Sequence, residues 1–270
     1  MSLRSRSRFI AQLAFTVLVC LFLIVPVVLS VLAGLSQNFF IGIRSGLTLR
    51  WIVEVWSLYA DTIFLSLGIA LACLAVTLVL GVPIAYALAR KPGRATRLIE
   101  ELLVLPVAVP GLATALALIL FYGEWRGFRG SWTFILVGHV LFTLPFMVRS
   151  VLAVMAAIDL ATLEEAAASV GAGFVQRFLD VIIPNARGGI LAGALMVVTL
   201  SVGEFNITWM LHTPLTKTIP VGLADSYASS RLEIGSAYTV VFFVMIVPLL
   251  IAMQWLSRDR KAPKMLVDEA

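Results

Sequence analysis

Six stretches of this chain are long enough and apolar enough to cross a bilayer as helices, at about residues 9–32, 62–89, 102–122, 132–155, 188–210 and 238–256. A helical crossing needs about 20 apolar residues. Inside the hydrocarbon there is no water to bond the backbone, so each N–H and C=O must find its partner within the segment or within a closed barrel. Unbroken apolar runs of this length leave the helix as the solution. The expected fold is therefore all-α, a polytopic membrane protein with six transmembrane helices. Composition agrees. Only 13% of the residues are charged and 61% are hydrophobic, and the mean hydropathy is +1.03.

The basic residues orient the spans. Arg4, Arg6 and Arg8 precede span one, Arg90, Lys91, Arg94 and Arg97 follow span two, and Arg149, Arg177 and Arg187 lie in or beside the polar stretch between spans four and five. Arg258, Arg260, Lys261 and Lys264 follow span six. The opposite side carries fewer: Arg44, Arg50, Arg126, Arg129, Lys217 and Arg231. Excess Lys and Arg mark the cytoplasmic face, so both termini are expected in the cytoplasm. The basic start followed by an apolar run resembles a signal peptide, but the run is too long, and we read it as an uncleaved first span that Pro26 kinks. Residues 36–60, with Trp51, Trp56 and Tyr59, suit an outer, partly interfacial helix. Pro106, Pro110 and Gly111 should break the opening of span three. Cys20 and Cys73 both fall in apolar runs and read as reduced packing residues.

Residues 159–184, DLATLEEAAASVGAGFVQRFLDVIIP, stand apart. They lie between apolar runs yet hold Asp159, Glu164, Glu165, Gln176, Arg177 and Asp180, too many charges for a buried span. Leu160, Ala161 and Leu163 to Ala168 are strong helix formers. Gly171 stands where a left-handed residue would close that helix. A second short helix is expected over residues 174–182, with Phe174, Phe178 and Ile182 on one face, ended by Pro184. The expected product is helix, glycine elbow, helix on the cytoplasmic side, with Ala166, Ala167 and Ala168 small enough to let another surface come close.

The spacing Glu165-Ala166-Ala167, three residues, Gly171, nine residues, Val181-x-Ile183-Pro184 resembles the EAA signature of permease subunits of binding-protein-dependent ABC importers, E-A-A-x3-G-x9-I-x-L-P. The departures are Val181 for Ile and Ile183 for Leu, both apolar. The resemblance extends over about residues 47–257 and implies a type I ABC importer permease fold. Residues 1–60 would form an N-terminal span and outer segment, 61–257 the core with coupling loop 159–184, and 258–270 a cytoplasmic tail. It also implies partners: a cytoplasmic ABC ATPase dimer, a second permease subunit, identical or paralogous, and an extracytoplasmic solute-binding protein, all at a bacterial inner membrane. Glu164, Glu165, Ala166, Ala167, Gly171 and Pro184 are the residues it assigns to ATPase coupling.

No catalytic set stands in the sequence: no phosphate-cradling G-x-x-x-x-G-K-[ST], no H-E-x-x-H and no nucleophile triad. The chain is expected to be neither an enzyme nor a cofactor, metal or nucleic-acid binder, its partners being proteins and membrane lipid. His139 reads as a satisfied packing histidine. Glu204 falls deep in span five, and two readings stay open. With Ser201, Asn206 and Thr208 it lines a solute path, or it is a buried structural carboxylate. Gly189-x-x-x-Gly193 permits close helix packing, read as internal to the subunit. The string GEFNITW followed by TPLTKTIPVGL is most similar to aminophosphonate and polyamine permeases, which makes a polyamine or a 2-aminoethylphosphonate-like amine the expected solute. Iron(III), sulfate or molybdate on the same machinery is the alternative, and an ion-coupled transporter acting alone a further one.

Overall fold

In the computed structural model residues 3–258 are described. The expected tail, with Arg260, Lys261 and Lys264, lies outside the described residues, as do the side chains of Arg4, Arg6 and Arg258. In order the helices are α1 (Leu3–Gly34), α2 (Arg50–Arg90), α3 (Arg94–Ala108), α4 (Gly111–Tyr122), α5 (Arg126–Arg129), α6 (Trp132–Ala157), α7 (Leu160–Ser169), α8 (Phe174–Gln176), α9 (Ile183–Gly203), α10 (Asn206–Leu211), α11 (Ile219–Ala228) and α12 (Leu232–Arg258). A 3₁₀ turn covers Gly42–Ser45 and a π-helical turn Arg177–Ile182. Among the described residues five helical segments are long and apolar enough to cross a membrane, or six when the bent pair α3–α4 is counted as one span.

The helices depart from the expected spans where proline or a polar side chain intervenes. α1 runs through Pro26 unbroken; one missing donor is tolerated while the flanking ladder holds. The outer segment does not form a separate helix at residues 50–58. It joins span two in a single 41-residue helix whose one non-helical residue is Tyr59 (φ −133°, ψ 20°). The third span starts earlier than expected, so Arg94 and Arg97 lie on a helix instead of a loop. α3 and α4 then meet at 97°, because Pro110 has no N–H and pushes Val109 out of the helical region, to φ −80° and ψ 132°.

The chain divides into two compact units. One comprises residues up to Ala60 together with Gly222–Val244. Here the indole of Trp51 donates to the Ser36 carbonyl (2.9 Å), and a lone bridge pairs Ser36 with Leu47. Gly34 sits so near the backbone of Ser236 that a Cβ would lie 2.6 Å from it. Arg231 donates to Glu54 (2.8 Å) and to the Tyr59 hydroxyl (2.7 Å). It braces this unit, and α11 stands where the sequence reads as a loop.

The other unit comprises Asp61–Val221 and residues from Met245 onward. Its centre is the pair α6–α9, and the two glycines foreseen as a packing face make the contact. A Cβ on Gly189 would lie 2.5 Å from the Ser150 carbonyl, and one on Gly193 2.7 Å from the Met147 sulfur. The close approach is internal to the chain. Around it Cys73, Val82, Ala85, Met147, Val151, Ile182, Ala186 and Val197 form a buried core. A second cluster joins Ile69, Leu118, Phe134, Ile135, Ile207 and Leu211, so α10 packs on α4 and α6.

Candidate functional site

The elbow is built as its sequence dictates. The Asp159 carboxylate caps α7, accepting from the Thr162 amide (3.2 Å) and hydroxyl (2.7 Å). Those two bonds hold its carboxyl below the ordinary value. At the other end Gly171 takes φ +85°. Its amide bonds the Ala168 carbonyl (2.9 Å) and the Ala172 amide bonds the Ala167 carbonyl (3.1 Å), the paired closure of a Schellman motif. Nothing lies within 4 Å of where a Gly171 side chain would start. Glycine is required there by the backbone angle and not by crowding. The second arm opens with the Gln176 side chain accepting from the Gly173 amide (3.0 Å).

Pro184 does not end that arm. The chain passes from α8 through the π turn straight into α9, with Pro184 in the first turn of the next helix. Proline lacks a donor and crowds the carbonyl four residues back. A widened turn relieves both, and Asn185 Nδ2 donates to the Val181 carbonyl (2.8 Å). Arm and span are thus one continuous rod from Phe174 to Gly203.

The two glutamates of the loop face opposite ways. Glu165, Ala166 and Ala168 are exposed and Ala167 half-buried, whereas Glu164 is only 7% exposed. The Glu164 carboxylate accepts from the Tyr86 hydroxyl on one oxygen and pairs with Arg90 (3.2 Å) on the other. Beside it opens a cavity of about 470 Å³, lined by Arg90, Met155, Glu164, Glu165, Ala168 and Arg177 among others. The Arg177 Nε is buried there without a hydrogen-bond partner. Tyr86, Arg90 and the capping Asp159 went unassigned in the sequence. A capping search finds Asp159, but nothing local in the sequence joins Tyr86 to Glu164.

The second polar group of this unit lies at a break in span five. The expected helix over residues 188–210 stops at Gly203, and Glu204 takes extended geometry (φ −69°, ψ 124°) before α10 begins. The Glu204 carboxylate, 8% exposed, accepts from the Ile207 amide (2.8 Å), the Thr208 amide (2.9 Å) and the Thr208 hydroxyl (2.8 Å). It satisfies the first turn of α10 with the charge that a helix start favours. At the other end Arg129 donates to the Leu211 carbonyl (2.6 Å). His139 bridges Ser201 (Nδ1, 2.8 Å) and Thr208 (Nε2, 2.8 Å), so both ring nitrogens are partnered, as expected of a packing histidine. Since the Thr208 hydroxyl gives its proton to Glu204, it accepts from Nε2–H, which leaves Nδ1 to accept from Ser201. Ser201, Glu204 and Thr208 thus form one buried network, while Asn206 is exposed. Among the described residues no cluster of His, Cys, Asp or Glu is arranged to hold a metal.

Residues 78–262 match the family described as the inner membrane component of binding-protein-dependent transport systems. The chain is 30% identical over 213 residues to the sulfate transport system permease protein CysW of Synechocystis, covering 72% of this chain and 76% of that one. It is 24% identical over 255 residues to the putative 2-aminoethylphosphonate transport system permease protein PhnV of Salmonella typhimurium, covering 94% and 96%. Its fold matches a bacterial ABC transporter involved in import of the acidic polysaccharide alginate, with a TM-score of 0.71 over 96% of this chain and 98% of that one, at 15% identity. With its apolar helices, its elbowed loop and a family match over residues 78–262, the chain belongs to the inner membrane components of binding-protein-dependent transport systems, the non-catalytic, multi-pass permease subunits of ABC importers.

Proposed function

We propose that residues 159–184 are the cytoplasmic coupling loop through which a separate ABC ATPase drives this permease. The observation that carries the reading is the orientation of the loop's side chains. Glu164 is turned into the protein, while Glu165, Ala166 and Ala168 present a small, exposed face on a helix whose exit is fixed by Gly171. Small residues permit close approach of a partner, and the locked elbow keeps the two arms at one angle, so closure of an ATPase dimer is passed on as a rigid-body movement. On this reading both termini are cytoplasmic, a second permease subunit completes the pathway, and a binding protein delivers solute from outside.

For the solute we favour a 2-aminoethylphosphonate-like compound. The support is the extent of the match: PhnV aligns with 94% of this chain, CysW with 72%. A tetrahedral oxyanion such as sulfate is the second reading, favoured by the higher identity to CysW. Of the four residues at the helix break we assign only Asn206 to the path, because Ser201, Glu204 and Thr208 are buried and bonded to one another and to His139. The test is co-purification of the chain with an ATPase whose vanadate-sensitive hydrolysis is stimulated by a solute-loaded binding protein. Uptake of 2-aminoethylphosphonate and of sulfate is then compared in reconstituted vesicles. Absence of an associated ATPase defeats the coupling reading; uptake of sulfate alone defeats the solute assignment.

A further inference from the structure

Both arms of the elbow converge on one side chain that lies far from them in sequence. Tyr86, 8% exposed, sits one turn before the end of α2. Its hydroxyl donates to Glu164 of α7, 78 residues away. Its ring lies edge-on to Phe178 (centroids 5.2 Å) and tilted to Phe174 (6.2 Å), and these two rings stack on each other at 6.3 Å. Arg90, one turn further along α2, takes the second oxygen of Glu164 at 3.2 Å. The first arm is thus held by the polar end of Tyr86 and the second by its apolar body.

We propose that Tyr86 is a positioning residue that fastens the elbow to α2, so that a load on the exposed face of α7 moves α2 together with the two helices the loop joins covalently, α6 and α9. The proposal rests on the coupling reading above. The chemistry suits a fastening that must not slip. A buried carboxylate deprived of its phenol and guanidinium partners would be left charged and unsatisfied, so the contact is held or lost as a whole. Aromatic pairs at these separations favour particular relative orientations, which fixes the angle of the second arm as well as its distance. Without Tyr86 the second arm loses its aromatic contact with α2, and the first arm keeps only the half-exposed Arg90–Glu164 pair as a bonded route to it.

The test uses the full transporter with its ATPase in nanodiscs, in a Cys20→Ser background, spin-labelled at the exposed positions Val79 of α2 and Val170 of the elbow. The distance is read without nucleotide and after vanadate trapping. In the wild type it should stay narrow and unchanged between the two states. Tyr86→Leu, which removes both attachments, should broaden or shift it on trapping, and Tyr86→Phe, which removes only the hydroxyl, should do so less. The ratio of stimulated to basal ATP hydrolysis should fall at least about five-fold in Tyr86→Leu, the lower end of an allosteric coupling. Should Tyr86→Leu fail to assemble, the milder pair decides. Tyr86→Phe and Glu164→Gln act through one contact, so the double variant should be no worse than the poorer single one. Wild-type distances and hydrolysis ratios in Tyr86→Phe and Tyr86→Leu, or fully additive losses in the double variant, overturn the proposal. A wild-type chain that binds no ATPase removes the coupling reading itself, and this inference with it.

Discussion

Glu204 is where removing one side chain separates a structural carboxylate from a solute ligand. Its oxygens take the Ile207 and Thr208 amides at 2.8 and 2.9 Å, and the residue is 8% exposed. In Glu204→Ala both amides lose their acceptor in the interior. An unsatisfied buried donor costs about 1–3 kcal/mol, so two cost about 2–6 kcal/mol. In a membrane the reference state also finds partners and single bonds run nearer 1 kcal/mol, so the lower half of that range is expected. At about 2–4 °C per kcal/mol for a chain of this size, the purified transporter should lose roughly 4 °C or more in thermal unfolding followed by tryptophan fluorescence. Glu204→Gln keeps one acceptor and the side-chain shape. It should lose about half as much, with an unchanged KM for uptake of both amine-bearing and purely anionic solutes. Wild-type thermal stability in Glu204→Ala would refute the capping argument. A Glu204→Gln variant of normal stability whose KM rises for amine-bearing solutes alone would return the residue to the solute path.

Three further expectations concern the elbow and the helix pair. Gly171→Asp should leave membrane insertion intact while uncoupling hydrolysis from uptake, since a side chain at φ +85° carries a backbone penalty of about 1–2 kcal/mol; normal uptake would count against the elbow's role. Gly189→Ala should destabilise by about 1–3 kcal/mol through overpacking against the Ser150 carbonyl, read as a lower unfolding temperature. Gly188→Ala, with nothing within 4 Å, is the control. The Asp159 cap is pH-dependent. Its folded carboxyl lies below the ordinary value of 3.8 because Thr162 bonds the charged form. Its contribution is complete above the unfolded value and fades as pH falls through the lower folded one. The protection of the α7 amides against exchange, corrected for the intrinsic rate at each pH, should therefore fall on acidification through that range, and Asp159→Asn, a neutral cap, should show no such pH step.

How much was legible in the sequence varies with the range of the interaction. Span existence followed from the bilayer's demand for satisfied backbone, and it survives in five long helices and one bent pair. The left-handed Gly171 was readable because a helix end is a local event governed by one residue's φ. Proline positions were readable, and so was the break at Pro110, but not every consequence was. Pro110 bends its span by 97°, Pro26 leaves its helix intact, and Pro184 is absorbed by a π turn that Asn185 helps to satisfy. What proline does depends on whether neighbours can take up the freed carbonyl, and that is a tertiary matter.

The sequence by itself therefore determined the class of fold, the approximate spans and the elbow, since each rests on apolar length, backbone angle or spacing within a few residues. Only the tertiary structure decided which glutamate turns inward, that span five breaks at Glu204 to be capped by that same residue, and that Tyr86 meets a carboxylate 78 positions away. A buried charge is held by whatever donor packing brings within about 3 Å, and chain order does not encode that distance.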